Sequence, residues 1–432
     1  MNEINSNYII NPPQNIEFRE LLPDNIRYHL ANLRQITFEV TDACNLKCKY
    51  CSYGEFYYDY DNRENRNLPI EKAFAILDYL AKLWKSEMNV SENRNVYIGF
   101  YGGEPLLNTA FIENIIDFVE NSLKCPNRFF TFAMTTNAML LDKYIDFVAK
   151  HKFNLLISLD GDKQGHSYRV DHKGKNSFDR VMKNVKLLQN KYPDYFKKSV
   201  NFNSVLHNRN SYESIYRYIK SEFGKIPNIS GLNDMGIRAD MKETFMATYR
   251  NIYESLMQSE HYDEIEKEMF LKSGTYNNLT IFLHKYSPFV FRDYNELLYG
   301  KNESKRIPTG TCIPFSKKMF VTVNGKILPC ERIGQQFSLG QITDDNIVNL
   351  DFEQIVEKHN AFLKKISPQC KTCKIIKSCT QCNYNLENIE NKPICKGYTS
   401  QNEFEQFVNA QMKFLALHPE AYYKIMEKVI FE

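Results

Sequence analysis

The chain has 432 residues, of which 43% are hydrophobic and 25% are charged, a composition that excludes disordered and collagen-like proteins. That length can bury a large core and, as a soft prior, corresponds to two or three domains. Its 55 basic and 52 acidic residues give a net charge of +3, which supplies no overall field toward nucleic acid or an anionic membrane.

The first residues lack the basic-then-apolar order of a signal peptide. Further along, no uninterrupted apolar run approaches the roughly 18 residues of a spanning helix. We therefore expect a cytoplasmic protein with neither a nucleic-acid nor a membrane partner.

Short β-rich runs alternate with helical patterns between Ile36 and about Leu206, which indicates repeated β-α units around a parallel sheet. Apolar residues recur at helical spacing between these runs, for example over 70–84 and 178–188. A weaker sixth strand is expected within 226–238. The predicted strands begin at Ile36, Val96, Phe129, Asn154 and Ser199.

The pattern changes beyond Lys242, where a polar, helix-rich stretch and an aromatic-rich segment indicate an inter-domain region. Segment 319–330 then predicts a β-hairpin, because Asn324-Gly325 between two alternating runs favours a type I′ turn. Short segments with few apolar residues connect the cysteines that follow, which is typical of a compact module stabilised by metal ligands. The last segment, 404–431, is again helical.

Eleven cysteines in a chain without an export signal favour metal or cluster ligation over a disulfide framework, because the cytosolic thiol pool would reduce disulfides. Cys125 stands alone after a helical segment and is expected to be structural. The others fall in two regions, which implies two separate metal regions. The first holds Cys44, Cys48 and Cys51, and the second holds Cys312, Cys330, Cys370, Cys373, Cys379, Cys382 and Cys395.

The first three cysteines form C-x3-C-x2-C in the loop directly after the first predicted strand. A structural zinc site normally takes four ligands, and no fourth Cys or His lies nearby in the sequence. A four-iron cluster with three protein ligands would leave one iron open for a substrate or cofactor. Active sites of α/β barrels are built at this end of the parallel strands.

This spacing, with the aromatic Tyr50 before the last cysteine, resembles the defining motif of the radical S-adenosylmethionine (SAM) superfamily. The segment 101–107, YGGEPLL, is similar to the family's glycine-rich segment that contacts the methionine amino group. The resemblance implies an α/β fold with a partial (β/α)6 TIM-type barrel. It also implies a SAM-binding 4Fe–4S cluster and cofactor contacts from Tyr50, Gly102, Gly103, Glu104 and Pro105.

Glycines allow a close backbone approach, and Glu104 offers a carboxylate for an ammonium group. Taken alone, the glycine pair would simply mark a turn. Further matches are TTNA at 135–138 and SLDGD at 158–162, followed by Arg169 in HSYR. By resemblance, the additional cofactor contacts are Asn137, Ser158, Arg169 and Leu206.

The spacer before Arg169 is one residue shorter than in the family, so Arg180 is a rival for the same role. Ser158 and Arg169 also have a plainer interpretation, as a helix cap and a surface charge.

The later cysteines, with Gly325 five residues before Cys330, resemble the seven-cysteine SPASM domain, although the Cys379–Cys382 spacing is one residue short. The resemblance implies two auxiliary 4Fe–4S clusters, one held by Cys312, Cys330 and Cys382. The other would be held by Cys370, Cys373, Cys379 and Cys395. The alternative is a zinc ribbon built from the two C-x2-C pairs at 370–382, which leaves three cysteines unexplained.

These patterns divide the chain into five parts. They are a lead-in at 1–35, the radical SAM barrel at 36–240, a helical inter-domain region at 241–305, the SPASM domain at 306–400 and a C-terminal helix at 401–432.

The resemblance implies that a reduced cluster cleaves SAM to a 5′-deoxyadenosyl radical, which abstracts hydrogen from a peptide or protein. The chain looks most like Bacteroidetes-type radical SAM peptide maturases, which install thioether or carbon-carbon crosslinks with the help of auxiliary clusters. Anaerobic sulfatase-maturing enzymes, which form formylglycine, are the alternative. That family carries an aspartate base after the cysteine equivalent to Cys330, where this chain has Glu331, a tentative base or an exposed hairpin residue.

Two protein partners follow from this interpretation. The cluster needs a low-potential electron donor of flavodoxin or ferredoxin type. The lead-in is too short for an independent leader-binding domain, so leader recognition would come from a separate protein or from the barrel surface. A non-enzymatic iron-sulfur or zinc-binding module would not need the glycine-rich segment or the barrel.

Overall fold

The computed structural model describes residues 18–91, 93–125, 128–269, 274–291, 293–299 and 313–428. The chain splits into two compact units. The first unit comprises 23–262 and 314–355, and the second comprises the other described residues. Over the described ranges, no helix is both long enough and apolar enough to cross a membrane.

The strands are β1 (Gln35–Thr41), β2 (Asn95–Gly102), β3 (Phe129–Thr136), β4 (Asn154–Ser158), β5 (Val200–Val205), β6 (Asn228–Ser230), β7 (Met319–Val321), β8 (Lys326–Leu328), β9 (Gly340–Ile342) and β10 (Val348–Asn349). The helices are α1 (Pro23–Ala31), α2 (Ile70–Trp84), α3 (Thr109–Asp117), α4 (Leu141–Lys150), α5 (Phe178–Lys191), α6 (Pro193–Ser199), α7 (Tyr212–Phe223), α8 (Lys242–Thr248), α9 (Ile252–Met257), α10 (Tyr262–Met269), α11 (Gly274–Ile281), α12 (Tyr294–Tyr299), α13 (Phe352–Thr372), α14 (Gln401–Leu417) and α15 (Glu420–Lys428).

Strands β1 to β6 lie side by side in chain order and pair in parallel, which confirms the predicted α/β fold and its β-α repeats. Residues 36–41 of β1 are all buried, as expected for a parallel strand that is covered on both faces. Helix α2 begins after Pro69 and contributes Ile76, Leu80 and Trp84 to the buried core. Because the strands are parallel, their carboxyl ends meet at one edge, where the cysteine loop begins.

The sheet continues beyond β1 through four short strands. Strand β7 pairs in parallel with β1, aligning Met319 with Ile36, and β7 to β10 then form an antiparallel meander. Residues 314–355 therefore extend the barrel's own sheet, although the sequence analysis assigned them to the cysteine-rich domain. Glu331, in this segment, is thus part of the same unit as Cys44, Cys48 and Cys51.

The hairpin between β7 and β8 forms as predicted, but its turn is not type I′. A type I′ turn needs positive φ at both central residues, whereas Gly325 has φ of 76° and Asn324 is not among the residues with positive φ. The Gly325 N–H donates to the Thr322 carbonyl at 2.8 Å, and the Thr322 N–H donates to the Lys326 carbonyl at 3.0 Å. The loop therefore has three residues, with a left-handed glycine that forms a bulge.

The second unit has its own aromatic core. Tyr286 packs against Phe404 of α14 with ring centroids 5.0 Å apart, and Ile425 of α15 is fully buried in the same cluster. Helix α14 begins with a capping box between Ser400 and Glu403. The predicted helical character of the C-terminal segment is therefore confirmed for 401–428.

Candidate active site

The cysteine loop, residues 44–51, follows β1 directly. The Cys51 N–H donates to the Cys48 carbonyl at 3.2 Å, and all three thiols are half-buried. Burial raises the pKa of Cys44 to about 11 and that of Cys48 to about 12. Such thiols become thiolates when a metal replaces their protons, which is how cysteines bind iron.

The described residues contain no group of three Cys, His, Asp or Glu side chains placed to hold a single metal ion. A four-iron cluster instead takes one thiolate on each of three separate irons. Three half-buried thiols on one loop, beside the guanidinium groups of Arg63 and Arg169, fit such a cluster.

Arg63 contacts the cysteine loop from the chain segment before α2. Its Nη2 donates to the Cys51 sulfur at 3.4 Å, and its guanidinium lies 4.3 Å from the centroid of Tyr53. The Tyr53 hydroxyl donates to Glu39, whose second oxygen accepts the Val323 N–H at 2.9 Å. Arg63 was not among the predicted site residues. It lies in a loop twelve residues after Cys51, and no sequence motif there indicates a contact with the thiol.

The glycine pair brings the end of β2 against the cysteine loop. Gly102 has φ of 126°, and a Cβ there would lie 2.3 Å from the Thr41 carbonyl oxygen. A Cβ on Gly103 would lie 1.8 Å from the Ala43 carbonyl oxygen. The N–H groups of Gly103 and Glu104 donate to these two carbonyls at 2.8 and 2.9 Å. The glycines therefore permit a backbone-to-backbone approach, in addition to any approach to a ligand.

Glu104 is 1% exposed and ties the ends of β2 and β3 together. Its carboxylate accepts hydrogen bonds from the Thr136 hydroxyl at 2.6 Å, the Asn137 N–H at 2.7 Å and the Leu106 N–H at 3.2 Å. Burial raises the pKa of Glu104 to about 7, although these hydrogen bonds oppose the rise. Pro105, also buried, begins the short turn after it. The Asn137 side chain in turn donates to the Cys44 sulfur at 3.7 Å.

Asp160, in the SLDGD segment, is fully buried below the cysteine loop. It accepts two hydrogen bonds from Arg169, at 2.9 and 3.0 Å, and one from the Tyr50 hydroxyl. Burial alone would raise the pKa of Asp160, but the Arg169 guanidinium outweighs it, so the pKa is lowered. Within this motif, only Ser158 was predicted to contact the cofactor, and the role of Asp160 was not predicted.

The two candidate arginines, Arg169 and Arg180, have different environments. Arg169 is 7% exposed, and its charge stabilises the Cys48 thiolate. Arg180 is half-exposed and pairs with Asp142 at 3.8 Å. Ser158 ends β4 and Leu206 follows β5, and both are buried at the same edge of the sheet.

Glu331 lies half-buried after β8. Lys318 Nζ donates to both of its carboxylate oxygens, at 2.6 and 2.7 Å. Burial, followed by the charges of Glu331 and Cys51, raises the pKa of Tyr101 to about 12. Tyr101 therefore lies close enough to both the Glu331 carboxylate and the Cys51 thiol to respond to their charges.

In the second unit, four of the predicted cluster ligands converge. Burial raises the pKa of Cys370 to about 12, with further increases from Cys379, Cys395 and Cys373, so these four thiols are near neighbours. The Cys395 N–H donates to the Gln369 side chain at 3.0 Å. These four thiols are the set that the resemblance predicts to hold one auxiliary cluster.

The other three predicted auxiliary ligands are Cys312, Cys330 and Cys382. Cys330 belongs to the first unit and Cys382 to the second, and Cys312 lies outside the described residues. Asn383, next to Cys382, is fully buried, and neither polar atom of its amide has a hydrogen-bond partner among the described residues. Cys125 is buried, as expected for a structural thiol.

Comparisons with known proteins agree with this geometry. Residues 38–221 match the family described as the Radical SAM superfamily, and residues 312–383 match SPASM, an iron-sulfur cluster-binding domain. A cysteine-type anaerobic sulfatase-maturating enzyme from Clostridium novyi (strain NT) is 25% identical over 374 residues, covering 83% of this chain and 90% of that protein.

Solved structures share the fold. The structure of native anSMEcpe with bound AdoMet has a TM-score of 0.57 and 19% identity, covering 91% of this chain and 100% of that one. The same protein with AdoMet and the Kp18Cys peptide gives a TM-score of 0.56 and 18% identity, covering 91% and 99%. The two matched domains imply 4Fe–4S clusters and SAM as cofactors. The chain contains a radical SAM domain and a SPASM domain, and it is a radical SAM enzyme.

Proposed function

We propose that this enzyme oxidatively crosslinks a ribosomally made peptide, forming a thioether or a carbon-carbon bond. The observation that carries the proposal is Glu331, a carboxylate held by two hydrogen bonds from Lys318 in the same unit as the cysteine loop, at the position where sulfatase-maturing enzymes carry an aspartate. A crosslink that joins an S–H or C–H to another C–H removes two protons and two electrons, so a base near the reacting carbon is needed.

The cofactor would be held at the carboxyl ends of β1 to β5. The three cysteines would hold the cluster, and SAM would contact Tyr50, the glycine-rich segment and Asn137, Ser158, Arg169 and Leu206. When bound, the reduced cluster and SAM supply a 5′-deoxyadenosyl radical that takes one hydrogen atom, and the auxiliary clusters supply an acceptor for the remaining electron.

The protein's own part is to orient the substrate and to take the proton. Lys318 holds the Glu331 carboxylate with two hydrogen bonds and fixes its position. Each carboxylate oxygen has a second lone pair, through which Glu331 can accept a proton from the substrate. A glutamate also reaches one methylene further than the aspartate of sulfatase-maturing enzymes, which favours a different position for the reacting atom.

Formylglycine formation from a cysteine or serine is the second candidate. It is favoured by the match to the sulfatase-maturating enzyme of Clostridium novyi, which extends over most of both chains. Both reactions would use the same base and differ in product, because formylglycine contains a new aldehyde and a crosslink does not.

The test uses anaerobically reconstituted enzyme with two peptide probes. One is a cysteine-containing precursor encoded beside the gene, and the other is a sulfatase segment with its target cysteine. We expect the precursor to lose two hydrogens without gaining an aldehyde, as measured by mass spectrometry and by reaction with a hydrazide. An aldehyde on the sulfatase segment, with an unchanged precursor, would replace crosslinking by formylglycine formation.

The base is tested separately with Glu331→Gln. We expect continued 5′-deoxyadenosine formation but a loss of product of about a hundredfold or more, the usual contribution of a general base. Glu353→Gln, a change at an exposed position of α13, serves as the matched control. Equal product yields from Glu331→Gln and Glu353→Gln would remove Glu331 from the proposal.

A further inference from the structure

A group of basic side chains lies on the exposed side of the cysteine loop. Residues 168–176 run antiparallel to this loop, and the N–H groups of Lys47 and Lys49 donate to the Val170 and Tyr168 carbonyls at 2.7 and 3.1 Å. The cationic groups of Lys49 and Arg209 lie 4.9 and 4.1 Å from the centroid of Tyr168. We call the five cations gathered here the basic collar: Lys47, Lys49, Lys173, Lys175 and Arg209.

All five side chains of the basic collar are exposed. Two acidic residues lie against the basic collar. Glu55 is 3.1 Å from Lys47, and the Asp171 carboxylate accepts the backbone N–H groups of Lys173 and Lys175 at 2.9 Å. Five positive and two negative charges leave a local excess of +3 among these residues, so this face presents a net positive charge to a partner.

The same face has a short connection to the cluster site. The exposed ring of His172 donates from Nε2 to the backbone oxygen of Cys44 at 2.8 Å. A protein bound to the basic collar would be separated from a cluster ligand by His172, one hydrogen bond and the Cys44 backbone.

We propose that the basic collar is the docking face of the enzyme's electron donor, an acidic protein that carries one electron. The redox centre of the donor loses one electron, the cluster at Cys44, Cys48 and Cys51 gains it, and no bond is made or broken. Opposite charge on the two faces speeds their encounter and orients the donor. This inference depends on the SAM-binding cluster and not on the substrate, so it stands apart from the proposed crosslinking.

The experiment measures reduction of the reconstituted enzyme in a stopped-flow instrument, without peptide, with reduced flavodoxin as the acidic donor. We expect the double variant Lys173→Glu/Lys175→Glu to lower the second-order rate at least tenfold at low salt. The wild-type rate should fall steeply as salt rises from about 50 to about 300 mM, because screening shortens the reach of the charges. Reduction by photoreduced 5-deazariboflavin, a small uncharged donor that needs no docking face, should change less than twofold.

The matched control is Lys150→Glu/Lys198→Glu, which makes the same charge change. Both lysines are exposed and stand just before β4 and β5, at the opposite edge of the sheet. The flavodoxin rate of this control should fall far less than that of the collar variant.

Equal flavodoxin rates for the two double variants would overturn the proposal. The proposal would also be overturned if the collar variant kept the wild-type flavodoxin rate but had a raised KM for a peptide, because the collar would then bind an acidic substrate. If 5-deazariboflavin also reduces the collar variant more slowly, the cluster site of that variant is damaged. The wild type then decides, and a flavodoxin rate that does not fall with salt contradicts the proposal.

Discussion

Asp160 is the buried anion on which Arg169 and Tyr50 depend. Replacing it with asparagine leaves the Arg169 guanidinium buried without its charge partner, so Asp160→Asn should lower the free energy of unfolding by about 3–5 kcal/mol. Asp142→Asn is the matched change at the half-exposed Arg180 pair and should cost no more than about 1 kcal/mol. Urea unfolding of both variants, followed by circular dichroism, measures the difference. Similar losses in the two variants would contradict the importance of the buried pair.

Arg63 should make the SAM-binding cluster easier to reduce, because a cation and a hydrogen bond at the Cys51 sulfur stabilise the more negative, reduced state. Arg63→Met should lower the ratio of reduced to oxidised cluster about tenfold at a fixed potential, which is about 59 mV for one electron. Potentiometric titration followed by EPR gives this ratio. Arg63→Lys should retain part of the effect.

Arg66→Met is the control for Arg63, because Arg66 lies in the same segment but pairs with Asp42 and Glu64 instead of a thiol. Its midpoint potential should equal that of the wild type. A shift of the same size in both variants would mean that general charge near the loop, and not the contact with Cys51, sets the potential.

The backbone at the end of β2 packs directly against the start of the cysteine loop, and the approach is tightest at Gly103. A methyl group on Gly103 would overlap the Ala43 carbonyl, so Gly103→Ala must push the cysteine loop away from the glycine-rich segment. We expect the variant to fold but to bind about four fewer irons per chain after reconstitution, the content of one cluster. Gly274→Ala, whose Cβ would meet nothing within 4 Å among the described residues, should keep its iron. Full iron content in Gly103→Ala would show that the loop tolerates the displacement.

Local spacing in the sequence was sufficient to predict the parallel strands, the cysteine motif and the position of the glycine-rich segment. It could not reveal Arg63, because the contact with Cys51 depends on how an irregular loop folds back. It also could not assign Asp160 its role, since its partner Tyr50 is 110 residues away in the chain. The Asn324-Gly325 turn was predicted as the wrong type because the registry of β7 with β8 sets a three-residue loop.

The division into two units places the three thiols proposed to hold the SAM-binding cluster in one unit and the four thiols proposed to hold an auxiliary cluster in the other. Each set should therefore lose its iron independently. Cys48→Ala should remove about four irons and abolish 5′-deoxyadenosine formation, whereas Cys373→Ala should remove about four irons and keep SAM cleavage without peptide. Iron analysis and mass spectrometry of 5′-deoxyadenosine measure both. If Cys373→Ala lost SAM cleavage as completely as Cys48→Ala, the auxiliary cluster would be needed for the first step of the reaction, and the two cluster regions would not act separately.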